Sequence, residues 1–210
     1  MKRPVIIVGG GGHAKVVIDM LLASSVEIIG VTDSNPVKTG TVVLRIPVIG
    51  TDEVILQYKP EQILLCNGLG SVGLPRVRTE IFIYFKKLGY SFITIQHPSA
   101  IVASDVVLGE GVQIMAGVII QPGCMIGLNS IINTGTSVDH DCCVGSHAHL
   151  APGVTLSGGV KTGDGVHIGT GAVLIQGVHI GENSLVGAGA VVLKNVAENV
   201  KVIGVPAREV

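Results

Sequence analysis

The sequence predicts two folds in tandem: an α/β unit built on a parallel sheet, then an all-β parallel β-helix. Three observations carry this. Aliphatic residues recur every six positions from about residue 100 onward, apolar runs alternate with helical segments before it, and glycine is abundant (30 residues) while aromatics are scarce (three Phe, three Tyr, no Trp). A core with so few aromatic rings must be filled by small branched side chains in a regular lattice, which favours a repeat architecture.

The first half justifies the α/β assignment element by element. Pro4–Val8 is a continuous apolar run of buried-strand type, and four glycines, Gly9 to Gly12, separate it from a helix over 13–23. Glu27–Val31 reads as a second strand ending at Asp33, and Thr51-Asp52-Glu53 as a helix start. Gln62–Cys66 is a third strand, followed by Asn67-Gly68-Leu69-Gly70. Arg76–Leu88 is an amphipathic helix, and Ser91–Ile95 a fourth strand. Strands alternating with helices imply a parallel sheet with crossover helices. Residues 1–98 are thus expected to form a Rossmann-like domain and residues 99–210 the β-helix.

The second half is defined by its period. Val102, Leu108, Ile114, Ile120, Ile126, Ile132, Val138, Val144, Leu150 and Leu156 are spaced by six, and Ile168, Leu174, Ile180, Val186 and Val192 resume the series after a single break at Thr162. Four residues after each lies a small or β-branched residue, from Val106 through Thr136 and Ala148 to Val196. No α-helix has this period, whereas a solenoid with three short strands per coil does. The small residue and the next aliphatic are two apart, so both point inward. Residues eighteen apart then stack, separated by roughly 4.8 Å.

Composition excludes several classes. Net charge is −1 with no basic run, which disfavours nucleic-acid binding. No apolar stretch approaches the roughly 20 residues that span a bilayer, so a cytoplasmic protein that binds no membrane is expected. Cys66, Cys124, Cys142 and Cys143 lack metal-ligand spacing and read as buried thiols, and no metal site is expected.

Three motifs carry a resemblance that covers nearly the whole chain: Gly9-Gly10-Gly11-Gly12-His13-Ala14-Lys15-Val16-Val17, the segment Asn133 to His149, and the tail Gly204-Val205-Pro206-Ala207-Arg208. Together with the repeat, these resemble the hexapeptide acyltransferases, in the subgroup of nucleotide-amino-sugar N-acetyltransferases and sialic acid O-acetyltransferases. The resemblance implies a left-handed β-helix, a homotrimer, and acetyl-CoA as co-substrate bound between neighbouring prisms. It implies His140 as general base, Asp141 as the carboxylate that orients it, and His149, Thr170 and Ala188 as acetyl-CoA contacts. Lys194, Lys201 or Arg208 could meet the CoA phosphates.

The chemistry suits those residues. An amine attacking a thioester must lose a proton, and a neutral imidazole accepts it near pH 7. Gly158 lies eighteen residues after His140 and should stack beside it, which makes its N–H a candidate donor to the acetyl carbonyl; a tight corner is the competing explanation of that glycine. His149, half a coil from His140, is expected to face outward on the opposite face, with His167 above it and His147 at a solvated corner.

The glycine run after the first strand presents backbone N–H groups and a helix N-terminus to a phosphate. Its dinucleotide pattern fits only the relaxed form. The resemblance assigns Gly10, Gly11, Gly12 and His13 to the diphosphate or sugar of a nucleotide-sugar and Asp33 to its base, and Asn67, Gly68 and Gly70, at the end of the third strand, are expected to complete the pocket. Ser34 occupies the place where related chains often carry a second acid. The expected activity is acetyl transfer from acetyl-CoA to a nucleotide-linked 4-amino-4,6-dideoxy sugar within a ternary complex, in polysaccharide biosynthesis. The alternatives are O-acetylation of a free sugar such as sialic acid, a non-catalytic nucleotide-binding trimer, and an NAD-dependent oxidoreductase, disfavoured because no Tyr-Lys pair accompanies the fold.

Overall fold

A computed structural model describes residues 3–210. The chain divides into two compact units, one holding the sequence up to Gly70 with Val77–Pro98, the other Ser71–Arg76 with Ser99–Val210.

In the first unit, β1 (Val5–Val8) is central, flanked in parallel by β2 (Ile28–Thr32) and β5 (Leu64–Asn67). Beyond β2 lies β4 (Ile46–Gly50), also parallel, and β3 (Val42–Val43) closes the edge antiparallel to it. All four residues of β1 are buried, which explains its unbroken apolar run. Helix α1 (Gly12–Ala23) buries Ala14, Val17, Ile18 and Leu21, the i, i+3, i+4, i+7 stripe of a core-facing helix. Helix α2 (Arg76–Lys87) buries Arg78, Phe82 and Phe85.

The six aromatic residues of the chain all fall between Tyr58 and Phe92. Phe82 meets Phe92 with ring centroids 4.6 Å apart, and Phe85 meets Tyr90 edge-on at 5.7 Å. The Tyr90 hydroxyl donates toward the carbonyls of Ile55 and Tyr58. Aromatic packing is thus spent on the small α/β unit, whose surface-to-volume ratio makes large buried side chains valuable.

Two expectations are corrected here. Of the segment Ser91–Ile95 only Phe92 bridges β5, at Leu65, while Ile95 belongs to a separate two-residue strand, Ile95–Gln96. The helix start at Thr51 leads into a 3-10 turn over Asp52–Gln57. The β3–β4 hairpin was not anticipated, because Pro47 and the short β3 hide its alternation.

The second unit is a left-handed parallel β-helix. Two-residue strands stack at intervals of eighteen on three faces: Ser137–Val138 belongs to the first, Cys143–Val144 to the second and His149–Leu150 to the third. The aliphatic column Val138, Leu156, Leu174, Val192 is at most 1% exposed. Each such side chain stabilises the fold by about 1.5–3 kcal/mol through burial.

The four-residue-later series is buried from Val112 onward, and four of its polar members are satisfied in one repeating way. Ser130 Oγ donates to Gly145 O (2.9 Å) and Thr136 Oγ1 to Ala151 O (3.1 Å). Cys124 and Cys142 Sγ reach Asp139 O and Ser157 O over the same interval of fifteen residues. Burial pushes the Cys142 thiol up to about 12, so it is inert at neutral pH. Thr162, the break in the aliphatic series, stays buried because its Oγ1 accepts from Gly145 N at 3.2 Å.

Candidate functional site

The segment 139–141 forms the corner between the first and second faces. Asp141 there adopts φ = 61°, a left-handed conformation that Asp tolerates better than most residues. This turns its carboxylate back onto the preceding side chain: His140 Nδ1 and Asp141 Oδ2 lie 2.8 Å apart. Asp139 Oδ1 accepts from the His140 backbone N–H at 2.8 Å and fixes the entry to the corner. The Asp141 hydrogen bond, followed by the charge of Asp139, raises the His140 pKa above its ordinary value. With Nδ1–H given to Asp141, the Nε2 lone pair is the basic position.

Gly158 stands directly over that nitrogen. A Cβ at residue 158 would lie 2.6 Å from His140 Nε2 and 2.7 Å from Cε1. The Gly158 backbone is not in the left-handed region, so the close approach rather than the turn demands glycine. Its carbonyl accepts from Gly177 N at 3.0 Å, and among the described residues nothing accepts from its N–H. A basic nitrogen and an open backbone donor therefore share one small space, the arrangement acyl transfer requires.

His149 lies outside the coil on the third face, as expected, but it is not open to solvent. It is 5% exposed. Its Nδ1 lies 2.7 Å from Ser71 Oγ and its Nε2 3.1 Å from Asn133 Nδ2. Asn133 Oδ1 accepts from Thr134 N at 2.8 Å, which points the amide nitrogen at the ring. His167 meets His149 edge-on with centroids 5.0 Å apart, is 8% exposed, and is held below its ordinary pKa by burial. The His149 ring thus faces outward from the coil with Ser71 against it. His147, expected to be solvated, is half-buried and lies 3.0 Å from Asn129 Nδ2.

Thr170 and Ala188 stack at the corner between the third and first faces, joined by Gly189 N donating to Thr170 O at 2.8 Å, and both are exposed. Lys194 and Arg208 line one cavity of about 340 Å³ near the end of the solenoid; Lys201 is exposed on the third face.

In the α/β unit the glycine loop is shaped by backbone proximity. Gly9 has φ = 95°, which an L side chain rarely adopts. A Cβ on Gly68 would fall 2.5 Å from Gly9 O, so the loop after β5 rests on the loop after β1. Gly11 and Gly12 have nothing within 4 Å of a Cβ position, and α1 begins there with no side-chain cap. His13 is half-buried in the first turn. The start of this helix is an open cluster of donors suited to an anion.

Asp33 and Asn67 both have partners within the chain. Asp33 is 7% exposed and already engaged: Lys38 Nζ lies 2.6 Å from its Oδ2, and Asn35 N donates to its Oδ1 at 3.0 Å. Burial alone would raise its carboxyl, but Lys38, Asn35 and the Gly10 amide together hold it below the usual range. Asp33 thus ties the glycine loop to the loop after β2, while Ser34 beside it is exposed. Asn67 is 1% exposed and its Nδ2 donates to Arg78 O at 3.0 Å, so its side chain braces the loop from inside.

The sequence reading missed Lys38, Ser71 and Arg78. Only Arg78 left a signal: it occupies the apolar stripe of α2, four and seven residues before Phe82 and Phe85, where a charge is out of place.

The PglD N-terminal domain family matches residues 4–85, the succinyl-transferase hexapeptide repeat matches 118–157, and the bacterial transferase hexapeptide family matches 159–194. No curated protein sequence matches significantly. Among solved structures, a histidine-to-asparagine mutant of perosamine N-acetyltransferase from Caulobacter crescentus, in complex with CoA and GDP-perosamine, is 40% identical. That match covers 100% of this chain and 98% of the other, with a TM-score of 0.92. The acetyltransferase domain of PglB from Neisseria gonorrhoeae, in complex with acetyl coenzyme A, is 32% identical over 100% of both chains, with a TM-score of 0.91. WeeI from Acinetobacter baumannii, at 24% identity over 100% of both chains and a TM-score of 0.88, shares the fold. The chain belongs to the hexapeptide-repeat acyltransferases, in the subgroup of acetyl-CoA-dependent sugar N-acetyltransferases.

Proposed function

We propose that this protein transfers the acetyl group of acetyl-CoA to the amino group of a nucleotide-linked 4-amino-4,6-dideoxy sugar, with His140 as general base. The observation that carries the assignment of roles is the Asp141–His140–Gly158 arrangement. The sugar amine attacks the thioester carbonyl, His140 Nε2 takes its proton, and Asp141 stabilises the resulting imidazolium. The Gly158 N–H donates to the oxyanion. As the tetrahedral intermediate collapses, the C–S bond breaks and the imidazolium returns its proton to the CoA sulfur. No acetyl group need pass through the protein.

Gly10, Gly11, Gly12 and His13 receive the diphosphate and sugar, with Gly68 shaping the loop beside them. Ser34 is the exposed group nearest in sequence to the loop where a base would lie, and Asp33 holds that loop. Thr170 and Ala188 receive the pantetheine arm through their backbone groups. His140 and these two residues lie on different edges of one prism. This favours a homotrimer in which one edge of each copy meets the next copy's side, giving three equivalent sites. The setting is the cytoplasm, as a step of polysaccharide biosynthesis.

The test is an assay of UDP-, dTDP- and GDP-linked 4-amino sugars with acetyl-CoA, following CoA release and the mass of the product. Turnover of one nucleotide-linked amino sugar is expected. Acetylation of free sialic acid with none of the panel turned over would overturn the reading.

A further inference from the structure

Arg78 is 1% exposed, an unusual position for a guanidinium, because taking a charge out of water costs several kcal/mol. Burial lowers its pKa to about 9, which still leaves it a cation at neutral pH. Its NH1 donates to two backbone carbonyls of the loop after β5, Asn67 O at 2.9 Å and Leu69 O at 2.8 Å. The Asn67 side chain returns the bond by donating to Arg78 O, so helix and loop clasp each other at three points.

This clasp sets the direction of a ligand-side donor. The Leu69–Gly70 peptide is trans, so its N–H points away from the carbonyl that Arg78 holds. Gly70 is exposed, and a Cβ there would lie 3.2 Å from the His13 Cβ. Nothing among the described residues accepts from the Gly70 N–H. A cation on a carbonyl oxygen polarises the peptide and strengthens its N–H as a donor. The same loop rests on Gly9, whose neighbours Gly11 and Gly12 open α1.

We propose that Arg78 is a positioning residue for the nucleotide-sugar. From behind, it holds the loop 67–69 so that the Gly70 N–H, beside His13, faces the anionic part of the ligand. Arg78 touches no substrate atom and acts through the Leu69–Gly70 peptide. The inference rests on the nucleotide-sugar reading of this unit.

The experiment compares the full-length wild type, Arg78→Lys and Arg78→Met by calorimetric titration with GDP, UDP and dTDP, and by titration with CoA. Binding needs no turnover, so failure of the acetylation assay remains distinguishable from failure of this inference. Arg78→Met is expected to weaken the preferred nucleotide by about 10-fold or more, the scale of losing bonds to a charged group, while the Kd for CoA stays within about 2-fold. Arg78→Lys, which keeps the charge and can hold one carbonyl, should fall between. If Arg78→Met does not fold by circular dichroism, Arg78→Lys alone decides by the same nucleotide-against-CoA split. Equal nucleotide affinity in the wild type and the folded variants overturns the proposal, as does parallel weakening of nucleotide and CoA. Absence of nucleotide binding to the wild type also overturns it.

Discussion

Gly158 and His140 occupy one space: the basic nitrogen of the imidazole lies where a side chain at 158 would begin, with 2.6 Å between Nε2 and that Cβ position. Gly158→Ala should therefore displace the imidazole or the acetyl group and lower kcat by about 100-fold or more, the scale of losing a general base or an oxyanion donor. Gly159→Ala is the matched control. Its φ of 68° is strained for alanine and costs about 1 kcal/mol of stability, but nothing lies within 4 Å of its Cβ position, so its kcat should be largely kept. Steady-state rates and melting temperatures of the two variants separate the close approach from the corner geometry.

His140→Asn should preserve binding of both substrates and lower kcat by at least about 100-fold at saturation. Near-wild-type turnover would remove His140 as the base.

The pH profile follows from the sign of the His140 shift. Its pKa is raised by Asp141, with Asp139 adding to it, and only the neutral ring accepts the amine proton. The rate should rise with pH through that raised pKa, above the ordinary histidine value. Asp141→Asn removes the largest cause, so the acidic limb should move to lower pH even as the maximal rate falls. An unmoved limb would show that the titration reports another group.

Asp33→Ala should raise the KM for the nucleotide-sugar and leave that for acetyl-CoA unchanged, because Asp33 ties Gly10 to the loop after β2. Lys38→Met tests how it does so. If Asp33 acts through the ion pair that closes at 2.6 Å, the Lys38 variant should show much of the same KM effect; a role in direct base contact would leave Lys38→Met near wild type.

Assembly is checked by complementation. His140→Ala and Ala188→Arg are each expected to be inactive, and co-refolded mixed trimers should regain part of the activity, because some interfaces would carry both intact edges. Sedimentation that shows a fully active monomer would exclude the shared site.

The hexad period legible from Val102 to Val192 determined the solenoid, its three faces and its eighteen-residue stacking, because each inward side chain must repeat where the strand repeats. The same arithmetic places Gly158 over His140 and His149 on a different face. In the α/β unit the apolar runs located β1, β2 and β5 and the two helices. The tertiary structure alone decided what covers an outward residue and what an embedded polar group holds. Periodicity shows His149 leaving the coil, yet only the fold brings Ser71, distant in sequence, against its ring. The spacing puts Asp33 at a strand end and Asn67 after the third strand, yet only the fold brings Lys38 onto Asp33 and Arg78 behind Asn67. Repeating local contacts are written in the spacing of residues; contacts between irregular loops depend on where the chain returns, and no period records that.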